Sequence, residues 1–356
     1  MWKKGIVLLT VGALFISTAL SAAAVEKQEE KKQSVKLELP VKSAILMEQK
    51  TGKILYTENA EEKMPPASVT KIMTLLLVME EIESGNLKYT DKVTCTAHAS
   101  SMGGTQIWLE VGEQMSVDDL IKATAVNSAN DASVALGEHV SGSEETFVDL
   151  MNRRANQLGM NNTTFKNATG LDADGHLTTA HDIAIMSREL LKHRDITKYS
   201  TIWMDTLRGG KTGLTNTNKL VRFYEGCTGL KTGTTDGAGH CVSASAKRGN
   251  MELIAVVMGA KTGDDRFGAA RKLLDYGFAN CTAFQENPDD ITLSPQKISG
   301  GITSEVIPRI EKKFQYVLCG DEQSYKPKRK IIYRKHLQAP IKEGTIIGSV
   351  QYTLNE

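Results

Sequence analysis

Hydrophobic positions change their pattern along the chain, and each change predicts a different kind of structure. An apolar stretch over 6–20 follows Lys3 and Lys4 and ends in Ser21-Ala22-Ala23-Ala24. A charged start, a short apolar run and small residues make a secretory signal, so 1–24 reads as a leader cleaved after Ala24. The run falls short of the ~20 apolar residues that span a bilayer, and no Cys follows it to take a lipid. The next tract, 25–36, is charged with almost nothing to bury, and predicts a solvated tether.

Folding starts at Leu37. Ala44-Ile45-Leu46-Met47 and Ile54-Leu55-Tyr56 flank a turn at Gly52 and predict two strands within 43–56. Through 70–83 the residues Ile72, Met73, Leu75, Leu76, Leu77, Val78 and Met79 are nearly continuous, which predicts a helix buried on most sides. A second helix is expected over 116–125, capped by Ser116 with Leu120, Ile121 and Ala123 on its apolar face. Helical periodicity returns over 129–139, 144–158 and 179–191. Between them, 161–177 is rich in Asn, Thr, Gly and Asp, and predicts a long surface loop of the sort that borders a site.

Further on, 239–246 and 251–259 are apolar or alternating around Lys247-Arg248-Gly249-Asn250, a hairpin pattern, and 271–278 predicts a closing helix. A domain that begins and ends in strands with helices between is α/β with a mainly antiparallel sheet; its expected bounds are 37–280. Beyond Cys281 the pattern becomes Pro-punctuated, basic and strand-like, as in Phe314-Gln315-Tyr316-Val317-Leu318 and Ile346-Ile347-Gly348-Ser349-Val350. This predicts a small all-β domain over 284–356.

Composition adds exclusions. With 356 residues, 40% hydrophobic and 24% charged, the chain has ordinary globular usage, enough for one large domain and a smaller one. The net charge of +1 offers no global basic surplus for a nucleic-acid partner, and none is expected. Cys95, Cys227, Cys241, Cys281 and Cys319 show no Cys-x-x-Cys spacing, and the histidines His98, His139, His176, His181, His193, His240 and His336 no His-Glu-x-x-His spacing. Neither a metal nor a cofactor is expected, and each lone His reads as a surface or hydrogen-bonded residue. The odd cysteine count leaves at least one thiol free or paired with another chain; most read as small apolar filler, and connectivity stays open.

Three short segments carry chemistry. In Ser68-Val69-Thr70-Lys71, at the mouth of the buried helix, residues three apart share a face, so the Lys71 amine reaches the Ser68 hydroxyl. Serine needs an adjacent base to act as nucleophile, and a desolvated lysine can serve. Helix-start N–H groups favour developing negative charge there. Ser128-Ala129-Asn130 opens another predicted helix with a hydroxyl and a carboxamide. Lys231-Thr232-Gly233-Thr234 precedes a strand-forming stretch and places a cation, a hydroxyl and a side-chain-free position along one edge, where an extended peptide can approach. Each alone is common.

In that order, the three form the signature of penicillin-recognising serine enzymes. The surrounding runs, Pro66-Ala67-Ser68-Val69-Thr70-Lys71-Ile72-Met73-Thr74, Asn127-Ser128-Ala129-Asn130-Asp131-Ala132, Gly170-Leu171-Asp172-Ala173-Asp174-Gly175-His176 and Gly229-Leu230-Lys231-Thr232-Gly233, narrow it. Over 37–280 the chain resembles the low-molecular-mass penicillin-binding D-Ala-D-Ala carboxypeptidases, a serine peptidase family. The resemblance implies a β-lactamase/transpeptidase-like catalytic domain, with the site at the sheet edge, followed by the β domain.

It implies an exported enzyme that removes the terminal D-alanine from peptidoglycan stem peptides through an acyl-enzyme, with β-lactams as inhibitors. Carried onto matching positions, Ser68 is the nucleophile, Lys71 its base and Ser128 the proton relay. Asn130 holds the peptide, and Lys231, Thr232 and Gly233 bind substrate. The backbone N–H groups of Ser68 and Thr234 form the oxyanion hole. A gap-free count from Met258-Gly259-Ala260 to Leu273-Leu274 puts the carboxylate-binding arginine at Arg266, with Lys261 a nearby competitor. Two features depart from the pattern. A second Lys-Thr-Gly stands at Lys211-Thr212-Gly213; it is followed by Leu214-Thr215-Asn216-Thr217-Asn218-Lys219, turn formers where a sheet strand would need β-branched or aromatic residues, and is read as a chance tripeptide with a solvated lysine. The sequence also ends at Tyr352-Thr353-Leu354-Asn355-Glu356 without the amphipathic helix that fixes relatives to the membrane surface, so that association and the completeness of the β domain stay open. The rivals are a DD-endopeptidase, a β-lactamase, for which no Glu-x-x-Leu-Asn run is present, and a non-catalytic muropeptide or β-lactam binder, against which the intact nucleophile and base argue.

Overall fold

The computed structural model describes residues 36–354 and the backbone of Ile6–Val11. Most of the segment read as a leader, its cleavage point and the charged tether lie outside the described residues.

The larger compact unit runs from Leu37 to Ala279. Its first hairpin is β1 (Ser43–Glu48) and β2 (Ile54–Glu58). Helices α1 (Lys71–Glu83), α2 (Val117–Lys122), α3 (Asn130–Ser141), α4 (Glu144–Gln157) and α5 (Ala180–Leu190) follow. The chain then returns as β3 (Cys227–Thr235), β4 (Gly239–Arg248) and β5 (Met251–Ala260), and closes with α6 (Gly263–Asn280). The five strands form one sheet in the order β2-β1-β5-β4-β3, every neighbouring pair antiparallel.

β1 and β5 are buried at every position, which is why their sequences run apolar instead of alternating: both faces are covered. Side chains on successive residues go to opposite faces. Ile45, Met47, Ile254 and Val256 enter the main core with α1 and α5. Leu46 and Leu253 point the other way, onto α6, where a Cβ on Gly277 would come within 2.8 Å and 2.5 Å of them. The glycine lets α6 lie close against the sheet.

At the centre of the main core, α1 buries Ile72, Met73, Leu75, Leu76, Leu77, Val78 and Met79, each at 4% exposure or less. At about 1.5–3 kcal/mol per fully buried side chain, this run anchors the helix whose first residue is Lys71.

Four local expectations need correction. The helix expected over 116–125 ends at Lys122 and passes into a π turn, Ala123–Asn127, that leaves Ser128 left-handed at φ 65°. The closing helix begins at Gly263 instead of 271, because Thr262 caps it by accepting the Asp265 N–H at 3.0 Å and Asp264 and Asp265 suit its N-terminus. The third motif does not precede a strand but lies inside β3, the sheet edge. Lastly, Thr212–Thr215 is a strand after all, paired with Met204–Leu207 in a separate ribbon; the turn-forming residues begin only at Asn216, which donates to Ile202 O at 2.7 Å.

The second compact unit holds the chain from Asn280 onward. Its larger sheet has the order Lys328–Tyr333, Gly348–Thr353, Ile6–Val11, Glu305–Ile310, Gln296–Ser299, Leu337–Gln338. A ribbon of Cys281–Glu286 and Phe314–Cys319 carries a disulfide between its paired ends, Cys281 and Cys319. Cys95, Cys227 and Cys241 are free thiols; Cys95 and Cys241 are buried, as small apolar filler would be. Among the described residues, no helix is long and apolar enough to cross a membrane.

Candidate active site

Ser68 sits in a single 3-10 turn, Ala67–Thr70, immediately before α1, and is half-buried. Lys71 opens α1 and is fully buried. Its Nζ lies 3.1 Å from Ser68 Oγ, 2.6 Å from Asn130 Oδ1 and 2.7 Å from Thr169 O. The Asn130 carboxamide has a fixed orientation, since its Nδ2 donates to Gly103 O at 2.6 Å and so turns Oδ1 toward the lysine.

Burial first, and the Lys231 cation second, hold the Lys71 amine well below its usual pKa, with Asp131 pulling weakly the other way. A neutral amine has two hydrogens and a lone pair. With the hydrogens given to Asn130 Oδ1 and Thr169 O, the lone pair is left for the Ser68 hydroxyl proton. The geometry can therefore generate a serine alkoxide without water or metal.

β3 supplies the facing wall. Lys231 is buried, donates to Thr232 O at 2.9 Å, and is brought down to about 7 by burial and then by Arg266. Thr232 donates to Thr217 Oγ1 at 2.6 Å. Gly233 lies against the nucleophile's own backbone: a Cβ there would stand 2.8 Å from the Ser68 nitrogen and 2.9 Å from Ala67 Cβ. The glycine expected to let a substrate approach therefore lets β3 approach the Ser68 turn. Ser128, buried and left-handed, stands two residues before Asn130.

Arg266, in the first turns of α6, is 8% exposed. Its Nη1 donates to Gly233 O, Thr234 Oγ1 and Cys241 O at 3.2–3.3 Å, its guanidinium lies 4.5 Å from the Phe267 ring centre, and its buried Nε has no partner. Burial lowers its pKa to about 10. A desolvated guanidinium held only by carbonyls, a hydroxyl and a ring is poised for an anion. Lys261, the competitor, is exposed.

Several contributors were given no role by the sequence, although Asp131 and His176 stand in the runs that carry the resemblance. Thr169 acts through its carbonyl, which composition cannot reveal. Asp131 is buried and accepts from Ile107 N and Leu109 N at 3.0–3.1 Å, fixing the loop above Asn130. His176 lies behind Thr70: Lys166 N donates to its Nδ1 at 3.4 Å and its Nε2 lies 3.0 Å from Thr70 Oγ1. Burial holds it near 4, so the neutral ring carries its proton on Nε2. The 161–177 loop does border the site, through Thr169 and through Asp172, which accepts from Thr235 Oγ1 at 2.8 Å.

Gly170 in that loop has φ +88°, and a Cβ on it would fall 1.8 Å from Ala67 O. Gly170→Ala is expected to push the Ser68 turn out of place, costing about 1–3 kcal/mol as overpacking and strained backbone do. Thermal denaturation with penicillin acylation checks this: both should fall, acylation by ~10-fold or more, whereas unchanged acylation in the variant would show that the turn tolerates the shift.

Comparison with known proteins follows the same lines. A family model described as D-alanyl-D-alanine carboxypeptidase matches residues 27–262, and one described as penicillin-binding protein 5, C-terminal domain, matches 288–356. The D-alanyl-D-alanine carboxypeptidase DacF of Bacillus subtilis is 43% identical, covering 98% of this chain and 90% of the relative. DacC of Escherichia coli is 36% identical over 87% of this chain and 79% of its own. Among solved structures, penicillin-binding protein 5 from Haemophilus influenzae superposes with a TM-score of 0.78 at 33% identity, covering 89% of this chain and 94% of that one. The ampicillin-bound penicillin-binding protein D2 from Listeria monocytogenes gives 0.63 at 34% identity, over 68% and 100%. Motifs, fold and relatives agree: the chain belongs to the D-alanyl-D-alanine carboxypeptidase family and is a serine-type D-Ala-D-Ala carboxypeptidase with a penicillin-binding-protein-5-like fold.

Proposed function

We propose that this carboxypeptidase works through Ser68, Lys71 and Ser128 on stem peptides ending in D-Ala-D-Ala, outside the cytoplasmic membrane. The reading is carried by the buried, pKa-lowered Lys71 amine 3.1 Å from Ser68 Oγ. Lys71 takes the Ser68 proton as Oγ attacks the carbonyl carbon of the penultimate D-alanine. The Ser68 and Thr234 N–H groups take the developing oxyanion. As the C–N bond breaks, the proton taken up by Lys71 passes through the Ser128 hydroxyl to the departing amine, leaving both groups as they began; water then attacks the ester, one of its protons going to Ser68 Oγ as the acyl C–O bond breaks. Asn130, Lys231, Thr232 and Gly233 hold the peptide, and Arg266 its terminal carboxylate. A β-lactam presents its amide in the same place and acylates Ser68.

The test is release of free D-alanine from a pentapeptide ending in D-Ala-D-Ala. Absence of release alongside rapid penicillin hydrolysis would favour a β-lactamase. Cleavage of cross-linked dimers into monomers without release of free D-alanine would favour an endopeptidase, the activity named for a Pseudomonas aeruginosa relative that is 30% identical.

Arg266→Ala is expected to lower kcat/KM for D-alanine release by roughly 10- to 100-fold, as loss of a ~1.5–3 kcal/mol hydrogen bond to a charged group would, and to affect penicillin acylation less. Comparison with a C-terminally amidated peptide checks it, since an equal loss on that substrate would mean that Arg266 serves only β3 and Thr234.

Export rests on the leader-like start and on the Cys281–Cys319 bridge, which suits an oxidising compartment. The protein recovered outside the membrane should begin at Val25. An intact Met1 on that material would overturn the leader reading.

A further inference from the structure

The second Lys-Thr-Gly lies on the wall of a cavity of about 620 Å³, within the range of small-ligand sites. Its lining includes Trp108, Glu110, Glu113, Arg208, Lys211 and Thr212. Trp108 is 75% exposed and left-handed at φ 58°. It does not hang free: its neighbours Ile107 and Leu109 are buried and donate their N–H groups to Asp131, while Arg208 donates to Ile107 O at 2.8 Å and to Trp108 O at 3.4 Å. The backbone is thus clamped on both sides of a residue whose ring faces solvent. A large aromatic held outward in a sparsely populated conformation is an unusual arrangement for a side chain with nothing to bind.

Both walls lead to the catalytic residues. The loop bearing Trp108 is tied to the second motif, with Asn130 N donating to Thr105 O at 2.7 Å and Asn130 Nδ2 to Gly103 O. The ribbon bearing Lys211 and Thr212 leads to Thr217, which accepts from Thr232 of the third motif. The charge balance narrows the ligand. Glu113 is paired twice with Arg208, at 2.6 and 2.9 Å, and Glu110 and Lys211 add one charge of each sign, so the cavity has no net charge to attract an ion. An aromatic face, a hydroxyl and fixed donors and acceptors of both signs suit a neutral, polyhydroxylated ring, whose C–H face stacks on the indole while its hydroxyl and acetamido groups meet the polar rim.

We propose that this cavity is a subsite for an N-acetylated pyranose of the glycan strand from which the stem peptide hangs. The proposal rests on the D-Ala-D-Ala reading for its choice of sugar. It gives the Lys211-Thr212-Gly213 segment a role in substrate selection separate from the chemistry at Ser68.

Two measurements test it. D-alanine release is compared between an N-acetylated tripeptide ending in D-Ala-D-Ala and a disaccharide pentapeptide, with wild type, Trp108→Ala and Trp108→Phe. The expected result is a loss of about 10-fold in kcat/KM for Trp108→Ala on the disaccharide substrate, mainly in KM, the scale of one aromatic stacking contact. Trp108→Phe should be intermediate, and the tripeptide rate should stay near wild type. Equal losses on both substrates, or none on either, would overturn the subsite. Independently, the peptide-free N-acetylglucosamine–N-acetylmuramic acid disaccharide should shift the tryptophan fluorescence of wild type saturably and that of Trp108→Phe not at all. That titration reads the subsite even if no D-alanine is released, so failure of the cavity and failure of the carboxypeptidase reading are told apart. A shift that persists in Trp108→Phe would also overturn it.

Discussion

Ser68→Ala is expected to lose all covalent labelling by a fluorescent penicillin, and Lys71→Ala to acylate several orders of magnitude more slowly than wild type. The first follows from chemistry: without the hydroxyl there is no ester to form. The second follows from the site, where loss of a positioned base costs at least ~10²-fold and where the Lys71 amine is the group 3.1 Å from Ser68 Oγ. The pH dependence has a defined sign. Burial lowers Lys71 well below its usual value, so the amine is a base only above that lowered pKa, and kcat/KM for acylation should rise as pH rises through it. On the other side, Lys231 is a cation only below about 7 in the free protein, so the electrostatic contribution fades as pH rises past that point. A bell-shaped profile in wild type that loses its acidic limb in Lys71→Ala is the expected outcome. Retained stoichiometric labelling in Ser68→Ala, or an unchanged acidic limb, would sink the assignment.

Lys231→Ala is expected to cost on the order of 10²-fold or more in D-alanine release through lost electrostatic stabilisation. Lys211→Ala should stay within a few-fold on a short peptide. The two lysines share a tripeptide but not an environment. Lys231 is 1% exposed on the edge strand β3, its charge reaching Lys71, whereas Lys211 is exposed on the separate ribbon. Lys231 also has a linked effect on stability. Because the folded-state pKa of Lys231 is depressed, the folded protein binds fewer protons than the unfolded chain between about 7 and the ordinary lysine value. Burying Lys231 therefore costs stability that is fully present below about 7 and is relieved as pH rises toward that ordinary value. Lys231→Met should raise Tm at pH 6 more than at pH 10. Reversal of the two alanine variants' activities would require the third motif, and the oxyanion role given to Thr234, to be withdrawn.

Local patterns determined a good deal. The nearly continuous apolar run from Ile72 to Met79, broken only by Thr74, dictated a buried helix, because its seven large apolar side chains fall on every side of the helix and all must be covered. Ser116 and Thr179 dictated helix starts, since each side chain satisfies a free N–H, at 3.1 Å and 3.0 Å. Ser68 and Lys71, three apart, were bound to share a helix face wherever the helix lay. The three motifs in order carried the family, as the relatives and the matching fold bear out.

What the chain order could not contain was which distant backbones would meet. Thr169 enters the site by its carbonyl, and Gly170 by the absence of a Cβ 1.8 Å from Ala67 O, contacts spanning about a hundred residues. Neither leaves a periodic or compositional trace. The disulfide between Cys281 and Cys319 needed the antiparallel register of its two strands, which is set by pairing and not by spacing. The two Lys-Thr-Gly copies have the same residue types, and only the sheet decided that one is desolvated beside a second cation while the other faces water. A lysine's charge state depends on the dielectric and the charges around it. Those are properties of the packed molecule, and so the sequence alone could name Lys71 and Lys231, but tertiary structure alone lowers their pKa values.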